Sequence, residues 1–272
     1  MSHEVIQTYP NSVSHGNLNS IKRLTQTQNL HLNSCFRKLP SSSTDFSYTL
    51  PMEIKHVASM RLASIEFPNT HLLFSSKQQN NTFKIKIGDE ITIVTIADGN
   101  YNYETLAPYL TTLLESLNIT CAITNNLYIT FTSTVTFSLI FDNNCGWVLG
   151  FRQLLYENGT TYTSESLFDA IGDKYVYLSV EDYQYNTNVT NIIGLDKSFI
   201  DKSILAKVPI IDEKFSFILY ESSPLSKTRV YNGPITLKKI HVKLLDKFGY
   251  VIDLNSMDFS FTLELELIYE NF

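Results

Sequence analysis

The residues of this 272-residue chain able to do chemistry are three cysteines, six histidines and a few close pairs of acids. Nucleophilic catalysis needs a thiolate beside a base, and Cys121 or Cys145 brought in space to His56 or His241 would supply one. Both cysteines lie beside apolar strand sequence, however, the setting of an inert small hydrophobe rather than an activated thiol. Metal binding needs imidazoles aimed at one point, and His3, His15, His31, His56, His71 and His241 show neither the i, i+2 nor the i, i+4 spacing that aims them. Glycoside hydrolysis needs two carboxylates across a cleft; Glu181-Asp182 and Asp169 with Asp173 are the close pairs, and both read as solvated surface. Phosphate cradling needs clustered glycines so that backbone amides can approach, and the ten glycines here are dispersed. Neither a Gly-x-Ser-x-Gly elbow, a His-Glu-x-x-His pair nor a Cys-x-x-Cys pair occurs. The expectation is a protein that is not an enzyme, with no catalytic residues, no metal and no cofactor.

The composition favours a β-rich body. Hydrophobic residues make up 43% of the chain, Phe and Tyr number 17 and 16, and Gly and Pro only 10 and 8. That mix suits pleated, packed structure. A net charge of -6 argues against binding nucleic acid by phosphate neutralisation, so no specific nucleic-acid partner is expected. An odd number of widely spaced cysteines suggests free thiols in a reducing compartment. The sequence carries neither an apolar leader nor an apolar run long enough to span a bilayer, so neither signal-directed secretion nor membrane integration is expected.

The end of the chain is its best-patterned part. Phe259, Phe261, Leu263, Leu265 and Leu267 alternate with Ser260, Thr262, Glu264 and Glu266, which predicts a half-buried strand. Lys247-Phe248-Gly249 offers a tight turn between apolar runs at 240–245 and 250–254. Residues 45–68 read as two strands broken at Pro51, the second with apolar residues on both faces, as in an interior strand. Leu106, Tyr109, Leu110, Leu113, Leu114 and Leu117 repeat at helical spacing and predict an amphipathic helix of about four turns, with Thr105 as N-cap and Pro108 in its first turn. Trp147, between Gly146 and Gly150, reads as a buried corner. The expected fold is mainly β: an antiparallel β-sandwich, jelly-roll-like, formed by 45–90 and 152–272, with a small α/β insertion at 91–151 carrying the single helix.

Residues 1–44 sustain no period and read as an extended N-terminal arm, which at about 3.3 Å per residue would reach roughly 140 Å. They hold Lys22, Arg23, Arg37 and Lys38 against one acid, Glu4, so they are basic while the rest is acidic. Charge would steer such an arm towards a neighbour, and Leu24, Leu30 and Leu32 would anchor it. Lys22, Arg23, Leu24, Leu30, Leu32, Arg37 and Lys38 are therefore the candidate partner-binding residues; a terminus with no role is the plain alternative. A different class of function, a β-sandwich module binding a glycan or a receptor, would use exposed aromatic residues such as Tyr162, Tyr183 and Tyr185.

Five stretches in order carry a resemblance: Phe46-Ser47-Tyr48-Thr49-Leu50-Pro51 leading to Arg61–Thr70, Asp98-Gly99-Asn100-Tyr101, Leu149-Gly150-Phe151-Arg152, Tyr231-Asn232-Gly233-Pro234, and Leu244–Gly249. Over residues 45–270 the chain resembles a family of structural proteins of giant nucleocytoplasmic large DNA viruses, minor components of an icosahedral capsid. The resemblance implies a minor capsid protein located in the virion capsid, made in the host cytoplasm and acting in capsid assembly. Its implied partners are the double jelly-roll major capsid protein, other minor capsid proteins and an internal viral membrane; a homo-oligomer is a separate expectation. A place at the capsid vertex, as a penton, is the alternative to one beneath the facets. The family transfers no catalytic residues, and the arm lies outside the resemblance.

Overall fold

The computed structural model describes residues 24–124, 126–187, 191–195, 198–200, 203–223 and 229–269. The chain runs through β1 (Thr25–Asn33), β2 (Asp45–Pro68), β3 (Thr82–Ile87), β4 (Glu90–Thr95), α1 (Leu106–Leu113), β5 (Ile119–Ile123), β6 (Ile129–Ile140), α2 (Cys145–Leu149) and β7 (Leu155–Thr163). It continues through β8 (Tyr175–Glu181), β9 (Ile193–Leu195), β10 (Ser198–Ile200), β11 (Ile204–Pro209), β12 (Phe217–Glu221), β13 (Arg229–Leu245) and β14 (Ser260–Ile268). The fold is mainly β, and every strand pairing among the described residues is antiparallel. The first sheet has the order β1-β14-β2-β13-β8-β11, with β12 also on β2; the second has the order β4-β3-β6-β5, with β7 also on β6.

β14 sits where its alternation places it. Phe259, just before the strand, and Phe261, Leu263 and Leu265 within it face the first core, while Ser260, Thr262 and Glu264 face outward. Its neighbour β2 is one strand of 24 residues rather than two. Pro51 is accommodated in an irregular register, since Thr49 lies opposite Lys239 but Ile54 opposite Leu237. Two further shifts against β14 place an extra β2 residue at Ala58 and at Ala63. Each β-bulge flips the side-chain alternation. Val57, Met60, Leu62, Ile65 and Phe67 can therefore all point into one core, although they occupy both odd and even positions.

The stretch expected to be an arm is part of the body over its described portion. β1 pairs with β14 along nine residues, from Thr25 opposite Ile268 to Asn33 opposite Ser260. The reason is local. Leu30 and Leu32 fall on the inward face of an edge strand whose other side chains are polar, and Leu32 is buried in the first core. Arg37 then closes the segment, donating to the carbonyls of Ser34 and Ser41 and to Asp258.

The second core draws on Phe83, Ile85, Phe131, Phe137, Phe141 and Phe151 with Leu106, Leu110 and Leu114 of the helical region. Its sheet extends beyond 91–151 on both sides, because β3 pairs with both β4 and β6, and β7 returns along β6. α1 is eight residues long, shorter than four turns, and passes into a 3₁₀ turn at Glu115–Leu117. Its first turn is held by Asn102 rather than Thr105: Asn102 Oδ1 accepts from the backbone of Glu104 and Thr105. Trp147 is not buried, being 47% exposed, with the Arg152 guanidinium over its ring at 4.1 Å. Cys145, Gly146 and Leu149 take the inward face of the short helix α2, and a Cβ on Gly146 would meet the Phe141 ring at 2.6 Å.

Candidate interaction surface

The candidate catalytic residues are dispersed. Cys121 and Cys145 lie within the second core, whereas His241 is on β13 in the first sheet with Nε2 2.5 Å from Asp45 Oδ1. Burial pushes the Cys121 thiol up to about 12 and the Cys145 thiol upward as well, so neither is a thiolate at neutral pH. Asp182 is buried and structural: Arg229 Nη1 reaches its carboxylate at 2.9 Å, and the Tyr231 hydroxyl donates to it. Glu181 accepts from Ser203 Oγ at 2.6 Å. Among the described residues, no three His, Cys, Asp or Glu side chains converge as metal ligands, and no helix is long and apolar enough to cross a membrane.

Asp173 lines a small cavity of ≈ 30 Å³ where the two cores meet, with His71, Asp169, Asp246 and Lys247. His71 is fully buried and neither ring nitrogen has a hydrogen-bond partner. Burial, with Lys214 nearby, drives its pKa down to about 3. Burial also raises the Asp246 carboxyl to about 6 and shifts Asp173 upward, while lowering Lys214 to about 8. The carbonyl of His71 accepts from Lys214 Nζ at 2.9 Å. This cluster joins the two halves of the molecule; its cavity has room for about one water-sized group.

The predicted partner-binding residues separate into three groups. Lys22 and Arg23 lie outside the described residues. Leu30, Leu32 and Arg37 are engaged within the body, as above, and so are not available to anchor on a neighbour. Leu24 and Lys38 are exposed, with the Leu24 carbonyl accepting from Tyr269 N–H at 2.8 Å. Tyr162 does not join Tyr183 and Tyr185 on an exposed surface. Tyr162 packs edge-on against Phe137 in the second core, while Tyr183 sits under Lys239 of the first sheet and Tyr185 is 92% exposed.

What sequence reasoning missed is the outer side of β12. Phe217 and Leu219 are 62% and 56% exposed on the face opposite Ile218, and Phe215 and Ile211 just before them are also exposed. β12 bonds β2 on one side, with Phe217 opposite Pro68 and Leu219 opposite Glu66, and no other strand is assigned to its far side among the described residues. Other sheet edges are managed differently. β11 carries exposed Lys207, Pro209 and a register break, and β1 presents Thr25, Gln26, Thr27, Gln28 and Asn29. Charge, proline, bulges and polar side chains are the usual means of blunting an edge; β12 lacks them except for terminal Glu221. β4 resembles β12 in exposing Ile91 and Ile93, but Lys86 and Lys84 stand opposite them on β3.

The charge around β12 is acidic. Glu66 accepts from Ser64 and Ser260, and Asp212, Glu213 and Glu221 line the same strand and its approach. No cation pairs with these four carboxylates among the described residues. Arg61, the nearest guanidinium on β2, is committed to Glu264 at 2.8 and 2.6 Å. The sequence signal lay in FSFILYE, whose apolar residues on both faces are compatible with an interior strand or with one that is covered after folding.

No protein-family model and no curated protein matches the sequence. Among solved structures, the fold is similar to that of the mavirus penton protein, with a TM-score of 0.45 and 10% identity, covering 89% of this chain and 100% of that one.

Proposed function

We propose that the chain is a structural subunit of a viral capsid, a minor component that ties neighbouring subunits together and catalyses no reaction. The observation that carries this reading is the apolar edge at β12, which has no second strand beside it among the described residues: Phe217 and Leu219 are turned to solvent on a strand whose backbone can accept a partner. Such an edge is a liability in an isolated protein and a joint in an assembled one.

Four of the five stretches that carry the capsid-protein resemblance support the same reading by where they fall. Asn69 donates to the carbonyls of Asp212 and Glu213 and so holds the approach to β12. Asn100 Oδ1 accepts from Leu73 N–H, fixing the entry to the second sheet. Gly150 ends α2 at φ +94, where a Cβ would come within 2.2 Å of the Ser166 carbonyl oxygen. Asp246 Oδ1 accepts from Phe248 and Tyr250 N–H at the turn before the last strand. These are joints of a rigid body, not the walls of a substrate pocket.

On this reading the partners are a major capsid protein, other minor proteins, further copies of the chain and an internal membrane surface. A vertex subunit would use the same edge, since a head-to-tail contact between copies closes into a ring when its rotation allows. Quantitative mass spectrometry of purified particles tests the reading. The chain should be present at a fixed ratio to the major shell protein and should survive washing that removes adsorbed protein; absence from the particles contradicts it.

A further inference from the structure

We propose that the free edge of β12 receives residues 1–23 of a second copy of this chain, added as an extra strand; this rests on the assembly reading above. The chain leaves the described structure at Leu24, next to Thr25, which lies opposite Ile268 at one end of the first sheet. β12 is level with the other end, because Asn33 pairs with Ser260, Ser260 with Glu66 and Glu66 with Leu219. Going towards the amino terminus, β1 thus heads away from its own β12. Twenty-three extended residues span about 76 Å, ample to reach a neighbour.

Composition matches the two surfaces. Residues 1–23 contain Val5, Ile6, Tyr9, Val13, Leu18 and Ile21 among polar residues, with Lys22 and Arg23 against a single acid, Glu4. The receiving edge offers exposed Phe217 and Leu219 beside Glu66, Asp212, Glu213 and Glu221. The rival apolar edge, β4, is mixed in charge: Lys86 stands opposite exposed Ile91, Lys84 opposite Ile93 is ion-paired with Asp142, and the strand itself begins at exposed Glu90. Charge therefore favours β12, whose carboxylates have no cation partner among the described residues, while backbone pairing and apolar cover provide the hold.

The test compares the full chain, its Leu219→Lys variant and a chain starting at residue 24 by sedimentation over a range of concentrations. Both cores are built from residues 30 onward, so the shortened chain keeps them. A synthetic peptide of residues 1–23 is then added to the shortened chain while amide hydrogen exchange is followed. The full chain should self-associate, and each change should weaken association about tenfold or more, the worth of one buried apolar side chain. The peptide should slow exchange at Phe217, Leu219 and Glu221. If those amides are already protected in the dilute monomer and lose protection when residues 1–23 are removed, the segment docks on its own chain and the proposal is wrong. Association that ignores Leu219→Lys but is lost with Ile93→Lys overturns β12 as the receiver while leaving the assembly reading intact. Absence of self-association, with no protection by the peptide, overturns it as well; the particle composition measured above then decides the assembly reading separately.

Discussion

His71 and Asp246 line the same cavity and respond to acid in opposite senses. The folded His71 resists protonation down to about 3, against 6.5 for the free group, so stability present above pH 6.5 is lost as pH falls towards 3. Asp246 binds its proton at about 6 in the folded state, against 3.8. Its contribution therefore rises as pH falls from above 6 towards 3.8, and Asp173, shifted the same way, adds to it. Lys214, near 8, stays charged throughout this window. The His71 and Asp246 slopes oppose each other between pH 6 and 4. Asp246→Asn keeps an oxygen to accept from Phe248 and Tyr250 but removes the compensating proton. That variant should lose about 1.4 kcal/mol per pH unit relative to wild type as pH falls from 6 to 5; equal midpoints for the two proteins would contradict the opposed titration. Arg229→Ala makes a different point, because it strands the buried Asp182 carboxylate. A loss of about 3–5 kcal/mol in denaturant unfolding is expected.

β1 and β12 are both edge strands, yet they differ in where their apolar side chains point. Leu32 of β1 is 5% exposed, so Leu32→Ala should cost about 2–4 kcal/mol in unfolding experiments. Leu219 of β12 makes little use of its side chain in folding; Leu219→Ser should change stability by less than about 0.5 kcal/mol and should instead reduce self-association seen by sedimentation. The sequence did not distinguish these strands, for physical reasons that particular residues show. β14 was readable because its alternation is unbroken from Phe259 to Leu265. β2 looked like an interior strand and is one, but its bulges at Ala58 and Ala63 are set by pairing with β14 and leave no local mark. In β1, the run Thr25–Asn29 is polar because its side chains are exposed, and that same polarity resembles an unstructured arm. In FSFILYE the two faces look alike, so burial of Ile218 and exposure of Phe217 depend on what lies beneath the strand. The joint around His71 was illegible for a related reason: His71, Asp173, Lys214 and Asp246 come from separate stretches, brought together only when the second sheet folds against the first.

Across the whole molecule, two cores share one chain, and the second is inserted between β2 and β8 of the first. This arrangement gives a body with two large sheets and the small β9–β10 pair, and the edges of the large sheets differ in charge: acidic beside β12 and mixed beside β4. On the assembly reading proposed above, such a body would meet its neighbours through different surfaces, as head-to-tail assembly requires. The capsid role can be tested most directly by a density map of the assembled particle in which this body is located. The map should place the two-sheet body in the shell, with an additional extended segment lying along the outer edge of β12 and covering Phe217 and Leu219. A shell without this chain, or one in which that edge of β12 faces open solvent, would contradict the assembly role.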